Sequence, residues 1–468
     1  MSTVLVCADD PSPAVTLEVP EANVVAVDNL CTSPKQIATK VPEGEALLVL
    51  AVHREVADRG AIQSAARQLG FDPLSVGIVD LSATTGAAQA SLACEANLAR
   101  ISRFSGSVPQ QVKLLPNQRK TRKAFLSLGA PVYVGAPMID GPSCVADQGC
   151  KLCVTECPTD ALSSTGGAVA YDVTKCVACG ICVTTCPTGA IENPSVDPGA
   201  VEAEIQTAVN RSPDPLGIRF RCRDSVVAAE SGWYQVEVPC TGMLTVGWAF
   251  APLLLGAAHV DAVPCGAGGC GLGNDERLEK TMRDVATAVE TISTDASDLA
   301  RSASASVHQG WLNHGSTGRV LSQVTGAHAV LSMTFDTADV GMINIDPSTC
   351  TACEMCAQIC PTDALRSAPN VTGVRISFDP QICVGCGQCV ATCPELEHGA
   401  IELKRGFDVS EWAAARREVR YEPTAACEIC GEPVAPAAML SRIKEMLGEE
   451  ATETMALVSR RCINCRGR

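Results

Sequence analysis

Aromatic residues are scarce in this sequence: Phe, Trp and Tyr together make up 3% of 468 residues. Much of the usual core volume must then come from Ala, Val and Leu, or from inorganic groups. An excess of positive charge is also missing. Thirty-six Lys and Arg against 52 Asp and Glu leave a formal net charge of −16. That argues against nucleic acid, whose phosphates require a positive footprint. An acidic surface suits docking to basic patches on other proteins, and it also suits plain solubility. One apolar run, Met243–Ala258, stands out, but it is shorter than the ~20 residues of a membrane span. It contains Pro252 and runs straight into His259 and Asp261, so a buried helix is expected. The start, MSTVLVCADD, lacks the basic region of a signal peptide and a twin-arginine pair. The expectation is a reducing, cytoplasmic context with no membrane span.

What the sequence has in excess is cysteine, 27 residues, most of them in Cys-x-x-Cys units. Disulfide frameworks belong to short secreted chains, and a two-residue gap strains a disulfide while suiting a metal.

Along the chain, residues 1–110 read as an α/β domain. Short strands are expected at Thr3–Cys7, Val24–Val27, Ala46–Val52 and Val76–Val79. Helices are expected at Val56–Leu69 and Thr85–Ile101, and the alternation predicts a parallel sheet. Residues 111–135 form a linker whose basic run, Arg119–Lys123, reads as a solvated helix face. Residues 136–195 and 341–408 are Cys-dense, and each is internally duplicated. Strand-like stretches, Ala168–Asp172, Met342–Asp346 and Val374–Asp379, precede three of the four Cys runs. Residues 196–295 form a second α/β region. Residues 296–340 are a helical connector whose His308, His314 and His328 read as surface or packing histidines. Residues 409–468 are a tail with two Cys pairs. The predicted fold class is a multidomain chain mixing α/β and α+β parts.

The cleanest run is Cys350, Cys353, Cys356 and Cys360 followed by Pro361. Its partner is Cys383, Cys386, Cys389 and Cys393 followed by Pro394, with identical spacing. Three thiolates two residues apart wrap a tight loop around one cubane, and each sulfur meets a different iron. Small residues such as Gly385 and Gly387 let backbone N–H groups approach the negative cluster. These runs resemble the bacterial dicluster ferredoxins, C-x₂-C-x₂-C-x₃-C-P, in which the fourth Cys reaches the other cluster. The resemblance implies one [4Fe–4S] on Cys350, Cys353, Cys356 and Cys393. It implies another on Cys383, Cys386, Cys389 and Cys360.

The earlier module departs from the pattern in one half. Cys176, Cys179, Cys182, Cys186 and Pro187 are regular. Ahead of them stand Cys144, Cys150, Cys153, Cys157 and Pro158, with Asp147 where the first thiolate belongs. The expectation is a longer loop in which Cys144 supplies that ligand. The alternatives are an oxygen ligand from Asp147 or a labile [3Fe–4S] site. The expected sets are Cys144, Cys150, Cys153 with Cys186, and Cys176, Cys179, Cys182 with Cys157. Zinc rarely uses such consecutive spacings, so four [4Fe–4S] clusters are expected.

Between the modules, Cys222, Cys240, Cys265 and Cys270 suit a [2Fe–2S] cluster by their number. The segments Phe220–Cys222, Val238–Gly242, His259–Cys265 and Cys270–Asn274 resemble the delta subunit of methyl-viologen-reducing hydrogenase. That subunit passes electrons to heterodisulfide reductase. This chain has a single Cys near 222 where that family has more, which leaves the ligand set open. Gly266, Gly268 and Gly271 also fit G-x-G-x-x-G. No strand with an acidic end follows ~20 residues on, so glycines that let backbone approach a cluster are favoured over a dinucleotide loop.

Residues 24–103 resemble the N-terminal domain of the A component of heterodisulfide reductase, on Val27-Asp28-Asn-Leu-Cys31, Ala51–Glu55 and Gly70–Pro73. Only Cys7, Cys31 and Cys94 remain there, and a docking domain without a cluster is expected. In the tail, Cys427, Cys430, Cys462 and Cys465 form two knuckles suited to one tetrahedral Zn²⁺ in a ribbon-like fold, with rubredoxin-like iron as the competing metal. The domain order is similar to that of large 4Fe–4S proteins encoded beside molybdenum formate dehydrogenases.

The expected function is electron relay between a formate dehydrogenase- or hydrogenase-type enzyme and an acceptor, with redox proteins as partners. The chain would do no bond chemistry itself: no Cys-x₃-Cys-x₂-Cys radical signature, convincing nucleotide loop or recognisable Ser–His–Asp set appears. The alternatives are an iron–sulfur accessory or assembly factor for a molybdenum dehydrogenase, and one component of a heterodisulfide-reductase-like enzyme.

Overall fold

The fold is known from a computed structural model. It describes residues 2–8, 17–42, 44–53, 57–104, 110–113, 132–265, 270–292, 310–313, 315–325, 332–370, 372–447, 456 and 459–466. Chain contacts group it into two units, 1–144 with 151–316, and 145–150 with 317–468.

The first unit begins with a parallel four-stranded sheet in the order β2-β1-β3-β4. Its strands are β1 (Ser2–Cys7), β2 (Ala22–Val27), β3 (Leu47–Val52) and β4 (Val76–Asp80). β3 is apolar at every position, as a central strand covered on both faces requires. Leu48, Val49, Leu50, Ala51 and Val52 are all 0% exposed. The helix after β3 starts at Arg59, behind Asp58, whose carboxylate accepts from the Ala61 N–H at 3.0 Å. A second helix, Ala87–Ser102, follows β4.

The first Cys-dense segment has little regular structure. Met138–Ile139 pairs antiparallel with Ile191–Glu192, which joins the two ends of the duplication. Between them a hairpin, Leu162–Thr165 with Ala168–Tyr171, turns on Gly166 and Gly167, both at positive φ, as a two-residue hairpin turn demands.

The middle region is a second parallel sheet, with Gly217–Cys222 between Trp233–Val238 and His259–Val263. The apolar run forms the helix Val246–Leu254, and all nine of its residues are buried. Among the described residues, no helix is long and apolar enough to cross a membrane. A charge network centred on buried Glu204 ties this sheet to the N-terminal domain. Arg100 pairs with Glu204 at 2.7 Å, Tyr234 donates to Glu204 at 2.9 Å, and Arg59 pairs with Glu237 at 2.6 Å.

In the second unit, residues on both sides of the expected connector and tail boundaries enter two separate β-sheets. Residues expected to be helical connector supply the strand Ser332–Thr334, which pairs with Ile401–Asp408 beside Gly341–Ile345. The helical part is confined to Thr317–Thr325 among the described residues, and His308, His314 and His328 lie outside them. The tail likewise does not start a separate domain at 409. Its strand Arg417–Ala426 joins Gly373–Phe378, so the ferredoxin hairpin Leu365–Pro369/Gly373–Phe378 becomes a four-stranded sheet completed by Pro433–Pro436. The physical reason is that Gly373–Phe378 would otherwise expose one edge. Phe378 and Ile376 are 0% exposed beneath it.

Candidate iron–sulfur centres

In the regular module, thiols far apart in sequence converge. Cys350, Cys353, Cys356 and Cys393 line one small cavity together with Ile345 and Ile376. Cys383, Cys386, Cys389 and Cys360 lie near enough for their charges to interact. Burial dominates their chemistry and pushes the Cys356, Cys383 and Cys389 thiols up to about 12. Proton-bearing thiols held in apolar walls suit ligation by a metal that replaces those protons.

The loops that carry these thiols repeat one backbone device. The residue just before the second Cys of a run has positive φ: Ala178, Ala352 and Gly385. So does the residue just after it, at Gly180, Glu354 and Gly387. Such consecutive turns rotate N–H groups toward one side, which is how a loop cradles an anionic group. At the end of the first run of each module, an N–H donates back to the fourth sulfur, from Ala161 to Cys157 and from Leu365 to Cys360, both at 3.3 Å. Hydroxyls add to this: Thr159, Thr188 and Thr362 each lie 3.6–3.9 Å from the sulfur of Cys157, Cys186 and Cys360. This Cys-Pro-Thr signal was readable in the sequence and was missed. In the fourth run Glu395 stands in its place and pairs with Arg442 at 3.1 Å.

In the earlier module, Cys157, Cys176, Cys179 and Cys182 line one cavity. Burial raises the Cys179 and Cys182 thiols. At Cys157 burial is outweighed by the Thr159 and Ala161 N–H groups, which hold the thiol below its ordinary range. In the irregular half, Cys144, Cys153 and Cys186 pack in one hydrophobic cluster. Cys150 lies in segment 145–150, which groups with the second unit. Asp147 is exposed on a single turn, Ala146–Gln148. Gly149, at φ 95°, keeps the left-handed residue before the Cys, but Lys151 after it has φ −134°. The longer loop has kept half of the device.

The middle thiols also converge. Cys222 closes its strand, Cys240 follows the next one, and Cys265 follows the third. All three therefore sit at the carboxyl edge of the sheet. Cys222 and Cys240 are buried, and Cys265 interacts with Cys222, Cys270 and Cys240. Cys240 accepts a hydrogen bond from the Asn274 side chain at 3.4 Å. Asp275 lies against Cys265 and Cys270, and its carboxylate accepts from the Cys265 N–H at 3.4 Å. Sequence reasoning missed it. Gly266 and Gly268 of the glycine motif lie outside the described residues. Arg223 reaches from this domain to the earlier module, donating to the carbonyls of Val177 at 2.5 Å and Ala178 at 3.3 Å.

In the tail, Cys427, Cys430, Cys462 and Cys465 place their sulfurs within 4.8 Å of one another. Cys430 is 3.5 Å from Cys462 and 3.6 Å from Cys465. These spacings approach the sulfur edges of a tetrahedral site with ~2.3 Å metal–sulfur bonds.

Residues 342–394 match the 4Fe–4S dicluster domain, and residues 169–192 match the 4Fe–4S binding domain. No curated protein matches the chain. The two domain matches and the converging thiols support a ferredoxin-like iron–sulfur protein that transfers electrons.

Proposed function

We propose that the chain is an electron relay carrying four [4Fe–4S] clusters, one [2Fe–2S] cluster and one structural zinc. The cubanes would sit on Cys144/Cys150/Cys153/Cys186, Cys176/Cys179/Cys182/Cys157, Cys350/Cys353/Cys356/Cys393 and Cys383/Cys386/Cys389/Cys360. The [2Fe–2S] cluster would sit on Cys222, Cys240, Cys265 and Cys270, and the zinc on the tail thiols. The observation that carries the reading is one cavity walled by three thiols of one run and the fourth thiol of the other. Cross-ligation of that kind would place two cubanes side by side. Each cluster would take one electron and hand it on without bond chemistry. Donor and acceptor are redox proteins, of which a formate dehydrogenase- or hydrogenase-type enzyme is our first choice.

The test is metal analysis with EPR on anaerobically purified protein. About 18 iron atoms per chain are expected, four per cubane and two for the [2Fe–2S] site. An iron content near eight would sink the two-module account. Reduction by the donor enzyme within milliseconds separates a relay from an assembly factor, which would be reduced slowly or not at all.

A further inference from the structure

Cys7, Cys31 and His53 are scattered in sequence, and the N-terminal sheet brings them together. In the order β2-β1-β3-β4, the chain leaves β1 for a neighbour on one side and later returns to its other side. The crevice beyond the carboxyl ends of β1 and β3 is therefore a topological switch point, where parallel sheets bind ligands. Cys7 is the last residue of β1, and His53 directly follows β3. Cys31 sits in the turn after β2. Their ligand atoms lie within 4.8 Å of one another. We propose that Cys7, Cys31 and His53 form a mononuclear site for a zinc-class divalent cation.

Three observations carry it. The Cys31 sulfur is 3.6 Å from His53 Nδ1. A tetrahedral zinc with ~2.3 Å to sulfur and ~2.05 Å to nitrogen sets that edge at about 3.6 Å. The backbone N–H of His53 donates to the Cys31 sulfur at 3.2 Å, which stabilises a thiolate. Asp80, buried at the end of β4 opposite Val52, is near enough to His53 for their charges to interact. A carboxylate at that range favours a bound cation through its charge. Two thiols and an imidazole select a soft or borderline cation and are too few thiolates for a cubane. The Cys7 and Cys31 sulfurs are 2.7 Å apart and must part by about 1 Å for both to bind zinc. Oxidation to a disulfide would draw them closer instead, so the two fates are distinguishable.

The test uses the full chain, purified anaerobically, with zinc and iron measured together. Cys31→Ser and His53→Ala should each lose about one zinc per chain with iron unchanged, and His53→Cys should keep it. In the parent protein, a chelator should open Cys7 and Cys31 to iodoacetamide, and added zinc should close them again. This second measurement stands even where a variant fails to fold. The proposal is overturned by zinc content unchanged in the variants, by loss of iron in place of zinc, or by a Cys7–Cys31 disulfide in the anaerobic protein.

Discussion

The two ferredoxin modules differ in how completely their loops are built. In the later module both runs carry a left-handed residue on each side of the second Cys, Ala352 with Glu354 and Gly385 with Gly387. It also has a continuous core of Ile343, Ile376, Phe378 and Ile401. In the earlier module one run keeps both residues, and the other keeps Gly149 alone. Its cluster of buried residues is smaller, with Ile191 and Leu162 as its large fully enclosed members. Each module also receives an arginine from outside its Cys runs. Arg420 donates to the Cys350 carbonyl at 3.2 Å but is paired with Glu422. Arg223 donates to Val177 and Ala178, and among the described residues its carboxylate partner, Asp224, is 3.8 Å away. The lesson is that one motif can be supported by its own hairpin and sheet or by a neighbouring domain.

The largest effect expected on this comparison is loss of a whole cluster. Cys356→Ser should remove about four iron atoms per chain from the later module. Cys144→Ser should remove one cubane or leave a [3Fe–4S] signal, whereas Asp147→Ala should leave iron content unchanged. Iron analysis and EPR decide; an Asp147→Ala variant that loses iron would reassign the ligand. Next comes the core. Phe378→Ala should destabilise the later module by about 3–5 kcal/mol in denaturant titration. Val169→Ala, on the half-buried hairpin of the earlier module, should cost far less.

Backbone effects come third. Gly385→Ala puts a Cβ 3.0 Å from the Val340 carbonyl at φ +61°, at an expected cost of about 1–2 kcal/mol. Ala352→Gly, at the equivalent position with φ 53°, should be close to neutral because it relieves the same strain. The smallest effect is a potential shift without iron loss. Removing a positive charge disfavours the added electron, so Arg223→Gln should make the adjacent cubane harder to reduce, by about 60 mV for a tenfold change. Arg420→Gln should shift its cluster less, because Glu422 already offsets the charge. Redox titration followed by EPR measures both, and equal shifts would show that the pairing is irrelevant.

Much of this was legible in the sequence because it is local. The N-terminal strands run close to their expected bounds, with Val76–Asp80 against an expected Val76–Val79. Alternating and continuous apolar runs have few other uses. The buried helix of the middle region followed from an apolar run too short for a membrane. The boundaries at 340 and 408 were not legible. Ser332–Thr334 and Arg417–Ala426 are strands because of the partners they find, and sheet pairing leaves little local mark.

By itself the sequence determined the class of chemistry. Cys-x-x-Cys spacing reflects the few ångströms a single loop can span, so ligands of one run declare themselves by position. The tertiary structure alone decided which distant groups meet. It set Cys393 beside Cys350, Arg223 against the Val177 and Ala178 carbonyls, and His53 beside Cys31. Those contacts depend on strand order and on crossover connections, along which separation in sequence carries no information about distance in space.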